Sequence, residues 1–415
     1  MEFTENIKIF LQEKFKDADI YNMSLDELKT FKEELLIVRN EYALLENSFK
    51  VLGNAAYGAS ANHGFYFYNV KLAGDITGEC RHLTKTMWHN LEYFFHETLW
   101  ERKDLQEQFG FELDEAKHDW YRQQTVSCYA DTDSCYVTYG SFFRAMTQES
   151  QKKFSTDDDK VKFILKFNKE FLDKQNTKWC EEIYGPRHGH NIHNFELETI
   201  SRAGIYLKKK KYLKGLVFNK GKFLEKPKVS GTGIELIKST TPKLCREILK
   251  DLMESLMFDF DDSTQESRES YIYEFNDKLA KYRKKFYSAP LEDISQSIGV
   301  GDYKKYVLDD KNFLTFAKQC PVSVHAIARF NYLAHKNGQD NKCIYSGKIK
   351  YYNIAIGHNN TGYFGYPAGE LPEWAPPMDK LTQWQKNVID PINRFLEVMN
   401  IPLVNASNTV QLELF

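Results

Sequence analysis

The sequence predicts an α+β protein: antiparallel strands backed by helices, with a helical N-terminal part and a mostly helical C-terminal part. Three observations predict it. Residues 24 to about 57 place apolar side chains at alternating spacings of three and four, as one face of a helix requires. Residues 125–139 alternate about a turn-forming centre, as a hairpin does, and residues 192–235 carry several further strand patterns before the composition turns helical. With 415 residues, 42% hydrophobic and 15% aromatic, the chain can bury a large core in two or three packed units.

The elements follow in order. Residues 5–16 (ENIKIFLQEKFK) read as a short helix turning back through Asp17-Ala18-Asp19. Ser24 and Glu27 form a capping box for the long helix, whose seam is Leu28, Phe31, Leu35, Val38, Tyr42, Leu45, Phe49 and Leu52. At 1.5 Å per residue it is roughly 50 Å long, and Gly58 is expected to let it end. One apolar seam wants an antiparallel partner; residues 5–16 are too short to be all of it, so a segment upstream is expected to be missing. An aromatic loop (HGFYFYNV) follows, then a helix near 73–98. Residues 125–139 (TVSCYADTDSCYVTY) form the hairpin, with acids at or near its tip. Residues 160–182 read as a helix and 192–235 as strands, with a soft boundary near 230, after Pro227. Helices are then expected at 242–259, 266–286, 323–335 and 382–399, and a strand at 349–356.

No run approaches twenty apolar residues, and the N-terminal residues lack a basic-then-apolar signal pattern, so neither a membrane span nor export is expected. Seven cysteines, an odd number with no Cys-x-x-Cys pair, point to reduced thiols. The net charge of −2 does not mark a nucleic-acid binder, so basic charge must be local. It is: residues 208–228 (KKKKYLKGLVFNKGKFLEKPK) hold nine lysines and one acid, Glu225. Such a run suits phosphate contacts, and equally a solvated surface. The interleaved Tyr206, Tyr212, Phe218 and Phe223 suggest a strand pair whose buried face holds the lysines in place.

Two constellations carry chemistry. In Lys50-x-x-x-Asn54-x-x-Tyr57-Gly58 the first three side chains share a helix face other than the apolar one. Lysine suits a triphosphate and a tyrosine ring packs against a base; an ordinary solvated helix face is the competing reading. In Tyr129-Ala130-Asp131-Thr132-Asp133-Ser134, two carboxylates at a turn can converge on a divalent cation. Mg²⁺ takes one or two carboxylates plus phosphate oxygens, and two such ions about 3.5–4 Å apart serve nucleotidyl transfer. A merely hydrophilic turn, or the Asp-x-Asp site of a sugar-nucleotide transferase, would read the same way.

Together the two motifs resemble a family. KVLGNAAYG (50–58) resembles the Lys-x-x-x-Asn-Ser-x-Tyr-Gly motif of family B DNA polymerases, and YADTDS (129–134) their Tyr-Gly-Asp-Thr-Asp-Ser motif, in the same order. KKKKY (208–212) resembles the Lys-Lys-Arg-Tyr motif that grips primer DNA. VSGTGIELIKSTTPK (229–243), CPVSVHAIARFNY (320–332) and YPAGELP (366–372) resemble the palm-to-thumb passage and thumb of the polymerases of T-even-type phages. Ala130 for Gly and Ala55 for Ser keep those positions small.

The resemblance implies partial fingers over 1–60, a C-terminal portion of the palm over 61–230 and a thumb over 231–415. Lys50 would contact the phosphates of the incoming dNTP and protonate departing pyrophosphate, Asn54 would shape the pocket, and Tyr57 would pack beside the nascent base pair. Asp133 would bind two Mg²⁺ ions, with Asp131 nearer the primer. Lys209, Lys210, Lys211 and Tyr212 would contact primer–template DNA, and Glu198 falls where the family has an accessory acid. Gln411, Leu412, Leu414 and Phe415 resemble a peptide that docks into a sliding clamp. The family's third carboxylate motif, Asp-x-x-Ser-Leu-Tyr-Pro, is not found here. The expectation is therefore a DNA polymerase portion, cytoplasmic (in an infected bacterium if of phage origin). It would be a split-gene product or a truncation, inactive until an upstream chain supplies that carboxylate. The alternative is a non-catalytic module that binds primer–template and clamp.

Overall fold

The computed structural model describes residues 20–188, 193–261, 263–309, 312–355 and 361–407, and the chain divides into two compact units, Met1–Lys85 and Thr86–Phe415. The 5–16 helix and the 411–415 peptide lie outside the described residues.

In the first unit, α1 spans Leu25–Ser60. Its N-terminus is closed by the expected capping box: Ser24 Oγ accepts the Glu27 N–H, and Glu27 accepts the Ser24 N–H at 2.7 Å. The helix does not end at Gly58, which stays inside it. It runs to Ser60, and the chain turns where Asn62 Oδ1 accepts the Gly64 N–H at 3.0 Å. An asparagine side chain that mimics a backbone turn, not a glycine, makes the stop. Of the predicted seam only Val38 is buried, whereas Phe49 is 62% and Leu52 66% exposed. Asn69 then caps α2 (Val70–Tyr93), its Oδ1 accepting the Leu72 N–H. Between the two helices Tyr66 is 92% exposed.

The second unit begins within α2, which passes into a π-helical turn at Phe94–Thr98. Then come α3 (Lys103–Phe109), the hairpin β1 (Ser127–Asp131) and β2 (Ser134–Val137), α4 (Asp157–Phe167) and α5 (Asp173–His188). These surround an aromatic core that includes Phe95, Phe142, Phe163 and Phe167. A meander follows: β3 (Thr199–Lys208), β4 (Lys211–Asn219) and β5 (Lys222–Thr232), paired antiparallel in that order. Residue 230 falls within β5, where Ser230 pairs with Lys214. This sheet joins two cores, because Ile200 and Phe218 enter the aromatic one while Ile205 and Leu213 enter the next.

That next core is built by α6 (Lys243–Phe258) and α7 (Gln265–Ser288), with Trp384, Ile392 and Phe395 from the C-terminal region. A third core lies between α8 (Val322–Lys336) and an antiparallel sheet of β6 (Gln296–Val300), β7 (Gly347–Ala355) and β8 (Thr361–Tyr366), before α9 (Asp390–Val398). Two sequence islands take their place here as packing residues. Buried Asn331 donates to the Ile344 carbonyl and accepts the Ile344 N–H, both at 2.8 Å. Buried Tyr366 donates to Glu292 at 2.9 Å. Among the described residues no helix is long and apolar enough to cross a membrane, and all seven cysteines are free thiols.

Candidate functional site

The acidic turn is built by the β1–β2 register. Asp131 pairs with Ser134, leaving Thr132 and Asp133 as the turn. Asp133 N–H donates to the Asp131 carbonyl at 2.6 Å, a γ-turn centred on Thr132 at φ 51°. A β-branched residue rarely adopts positive φ, so this turn is strained, as backbones at ligand sites often are. Ser134 Oγ donates to the Asp131 carbonyl at 3.0 Å, and Thr132 Oγ1 to the Asp131 carboxylate at 3.2 Å. Asp131 is 23% exposed, and Asp133 is exposed at the tip.

The lysine turn is the second hairpin tip. Lys208 pairs with Lys211, so Lys209 and Lys210 form the turn, with Lys210 at φ 57°. It is clamped from both sides. Its backbone N–H donates to the Tyr129 hydroxyl at 2.8 Å. Its carbonyl lies where a Cβ on Gly233 (φ 66°) would stand only 2.1 Å away, so no other side chain fits there. Gly231 is pressed likewise, with the Tyr212 carbonyl 2.7 Å from its would-be Cβ. Close approach of the backbone to the β4 hairpin is thus what the glycines of 229–233 provide.

A cluster of four tyrosines joins the two hairpins. Tyr129 stacks on Tyr206 at 5.1 Å, Tyr136 and Tyr212 share a hydrogen bond at 3.1 Å, and Lys214 Nζ sits 4.8 Å from the Tyr136 ring centre. Aromatic pairs of this kind contribute about 0.5–1.5 kcal/mol each beyond their burial. Burial raises the Tyr206 and Tyr136 hydroxyl pKa values, keeping both rings neutral. As a result Lys210 Nζ lies 4.0 Å from Asp131 Oδ1, a solvated pair worth about 0–1 kcal/mol that leaves the ammonium free to swing away.

The expected DNA-contacting residues divide. Lys209 and Lys210 are exposed at the turn, and Tyr212 is in the cluster. Lys211 instead is only 13% exposed and points at Glu235 (3.4 Å), which also accepts from Arg394 at 2.8 Å and faces Lys238 at 3.4 Å. Burial alone would raise the Glu235 pKa, but the Arg394 hydrogen bond and the Arg394 and Lys211 charges together hold it low. The Lys211 pKa is also lowered, since burial together with Arg394 and Lys238 outweighs Glu235. The opposed consequences have one cause: three cations share a single carboxylate, and Arg394 is its main partner. Lys211 therefore braces the hairpin more than it faces solvent.

Asp133 lines a groove of about 1210 Å³ that also holds Glu198, Arg202 and Lys214, whereas Asp131 lies against Lys210. A donor set of one exposed carboxylate with a second beside it fits Mg²⁺, which takes its remaining ligands from water and substrate phosphates. Among the described residues no three His, Cys, Asp or Glu side chains are grouped to hold a metal ion. In the first unit Lys50, Asn54 and Tyr57 are exposed on α1, Tyr57 at 38%. Sequence reasoning missed the roles of Tyr129, Tyr136, Glu235 and Arg394. The alternating tyrosines of 125–139 were the one available signal. No protein-family profile matches the chain, and no curated protein matches it.

Proposed function

We propose that this chain carries part of the polymerisation site of a template-directed DNA polymerase of the family B kind, adding dNTP units to a primer 3′ end. The observation that supports this reading is the fixed juxtaposition of the Asp131–Asp133 turn with the Lys209–Lys210 turn. One turn suits metal-bound phosphates and the other a DNA backbone, and the Tyr129–Lys210 bond holds them in register. Asp133, with Asp131 beside it, would hold Mg²⁺, which when bound neutralises phosphate charge and favours ionisation of the primer hydroxyl. Lys209 and Lys210 take primer phosphates, with Tyr212 and Lys211 shaping the hairpin that presents them. Lys50, Asn54 and Tyr57 offer the exposed face for a dNTP. The third carboxylate comes from an upstream polypeptide segment. Partial fingers (1–60), palm (61–230) and thumb (231–415), with a clamp-binding end at Gln411–Phe415, complete the proposal.

Primer extension with Mg²⁺ and dNTPs tests it, using the chain alone, with the complementary upstream polypeptide, and with Asp133→Asn in the mixture. Synthesis in the mixture and its loss with Asp133→Asn are expected. An inert, well-folded mixture that still binds primer–template favours the second reading, a non-catalytic DNA- and clamp-binding module. The exposed Lys209–Lys210 turn is the feature that this reading keeps as functional.

A further inference from the structure

α4 and α5 are joined by a single π-helical turn, Asn168–Leu172, and Asp173 is the first residue beyond it. A π turn carries an extra residue and so rotates the helix face that follows; such turns gather at functional sites. The face set here carries Asp173, Asn176 and Thr177, and it meets the extended segment that leads into β3. Asn176 Nδ2 donates to the Phe195 carbonyl at 3.2 Å, and Thr177 Oγ1 to Asn194 Oδ1 at 3.3 Å.

This face presents oxygen without hydrogen. Asn176 is 8% exposed, and its orientation is fixed, because the Phe195 carbonyl can take only the N–H end of the amide. Its Oδ1 is therefore the end left over, buried and without a hydrogen-bond partner among the described residues. Asp173 Oδ1, three residues earlier on the same face, is buried and unpartnered as well. Glu196 is near enough for its charge to act on Asp173, and its Oε1 is held by Asn194 Nδ2 at 2.6 Å. Burial, and then the Glu196 charge, raise the Asp173 pKa, and among the described residues no cation offsets them.

Buried oxygens are normally met by donors, and buried carboxylates by a counter-charge. Two carboxylates and a donor-free amide oxygen together call for positive charge with several open coordination positions. Ca²⁺ takes about six to eight oxygens, mixing carboxylates, asparagine carbonyls and water in adaptable geometry, whereas Mg²⁺ demands a near-ideal octahedron and keeps most of its water. We propose that Asp173 Oδ1, Asn176 Oδ1 and the Glu196 carboxylate hold a Ca²⁺ ion, with water completing its shell. The ion ties α5 to the approach of β3, the strand that ends at the lysine turn. With two acids and one amide the site is one of mixed donors, not a group of three acids. It is distinct from the Asp131–Asp133 turn and does not rest on the polymerase reading.

Terbium luminescence tests this on the full chain carrying Asp131→Asn and Asp133→Asn, which removes the other carboxylate pair. Tb³⁺ occupies oxygen sites that suit Ca²⁺ and emits when a nearby tryptophan is excited; Trp179 lies three residues beyond Asn176 on α5. Saturable emission is expected, displaced by Ca²⁺ at about millimolar concentration or below and by Mg²⁺ only at about tenfold more. Asp173→Asn and Glu196→Gln, both nearly isosteric, are each expected to weaken Tb³⁺ binding about tenfold or more. Asp158→Asn, at an exposed carboxylate on α4, is expected to leave it unchanged. Ca²⁺ is also expected to raise the Tm of the parent and not that of Asp173→Asn. Absent emission, or emission unaltered in an Asp173→Asn protein whose circular dichroism matches the parent, overturns the proposal. So does displacement by Mg²⁺ as readily as by Ca²⁺, or a parent Tm indifferent to Ca²⁺.

Discussion

The Tyr129 hydroxyl accepts the backbone N–H of Lys210 at 2.8 Å, across 81 residues of sequence. Through this bond the strand that ends in Asp131 sets the position of the lysine turn. Tyr129→Phe keeps the ring stacking and removes only the acceptor. Because the Lys210 N–H can turn to water, the stability loss is expected to stay near 1 kcal/mol or less. Affinity for primer–template is expected to fall several-fold, read by fluorescence anisotropy on a protein whose circular dichroism is unchanged.

Gly233→Ala tests the other jaw of the clamp. The new methyl would meet the Lys210 carbonyl at 2.1 Å, in a backbone conformation that alanine resists. The expected loss is about 2–3 kcal/mol, seen as a melting point lower by several degrees. Gly221→Ala, also at positive φ but with open space around its Cβ, is expected to cost about 1 kcal/mol.

The lysines should separate by salt dependence. Each lost phosphate contact lowers the slope of log affinity against log salt by about 0.9 on duplex DNA. Lys209→Ala and Lys210→Ala are each expected to lower it by roughly that amount. Lys211→Ala is expected to leave the slope nearly unchanged, because its ammonium faces Glu235. Equal slope changes for all three would remove the division made here.

Glu235 gives a pH dependence with a definite sign. Its folded pKa lies below the ordinary 4.5, so its stabilisation is complete above that value and is lost as pH falls through the depressed folded pKa. Glu235→Gln leaves Lys211, Lys238 and Arg394 without a counter-charge and is expected to cost about 1–2 kcal/mol at pH 7, discounted for partial exposure. Urea unfolding should show that gap narrowing as pH falls below 4.5. A gap that stays unchanged down to the lowest pH at which the protein remains folded would mean the carboxylate acts through packing alone.

Much of the fold was legible because its signals are local. Ser24 and Glu27 announce a helix start, and the alternation around Asp131 and Asp133 announces a hairpin; both stand as expected. The exit from α1 was misread because a glycine at the end of a pattern is a common stop, and here Asn62 makes it instead. The tyrosine cluster and the Glu235–Arg394 pair were not legible. Their partners lie 76 and 159 residues apart, and no periodicity encodes such a meeting. Lys211 looked like its neighbours in sequence, yet strand alternation turns it inward, which a run of four lysines conceals.

The outer face of α1 governs how the protein has to be handled. Leu44, Leu45, Phe49 and Leu52 meet water along one stretch of helix, and contiguous apolar surface of that kind draws molecules together. A chain released into solution by itself will be a colloidally poor solute. Light scattering should rise with its concentration and with kosmotropic salt, and recovery should improve when a chaperone or mild detergent covers the helix during expression.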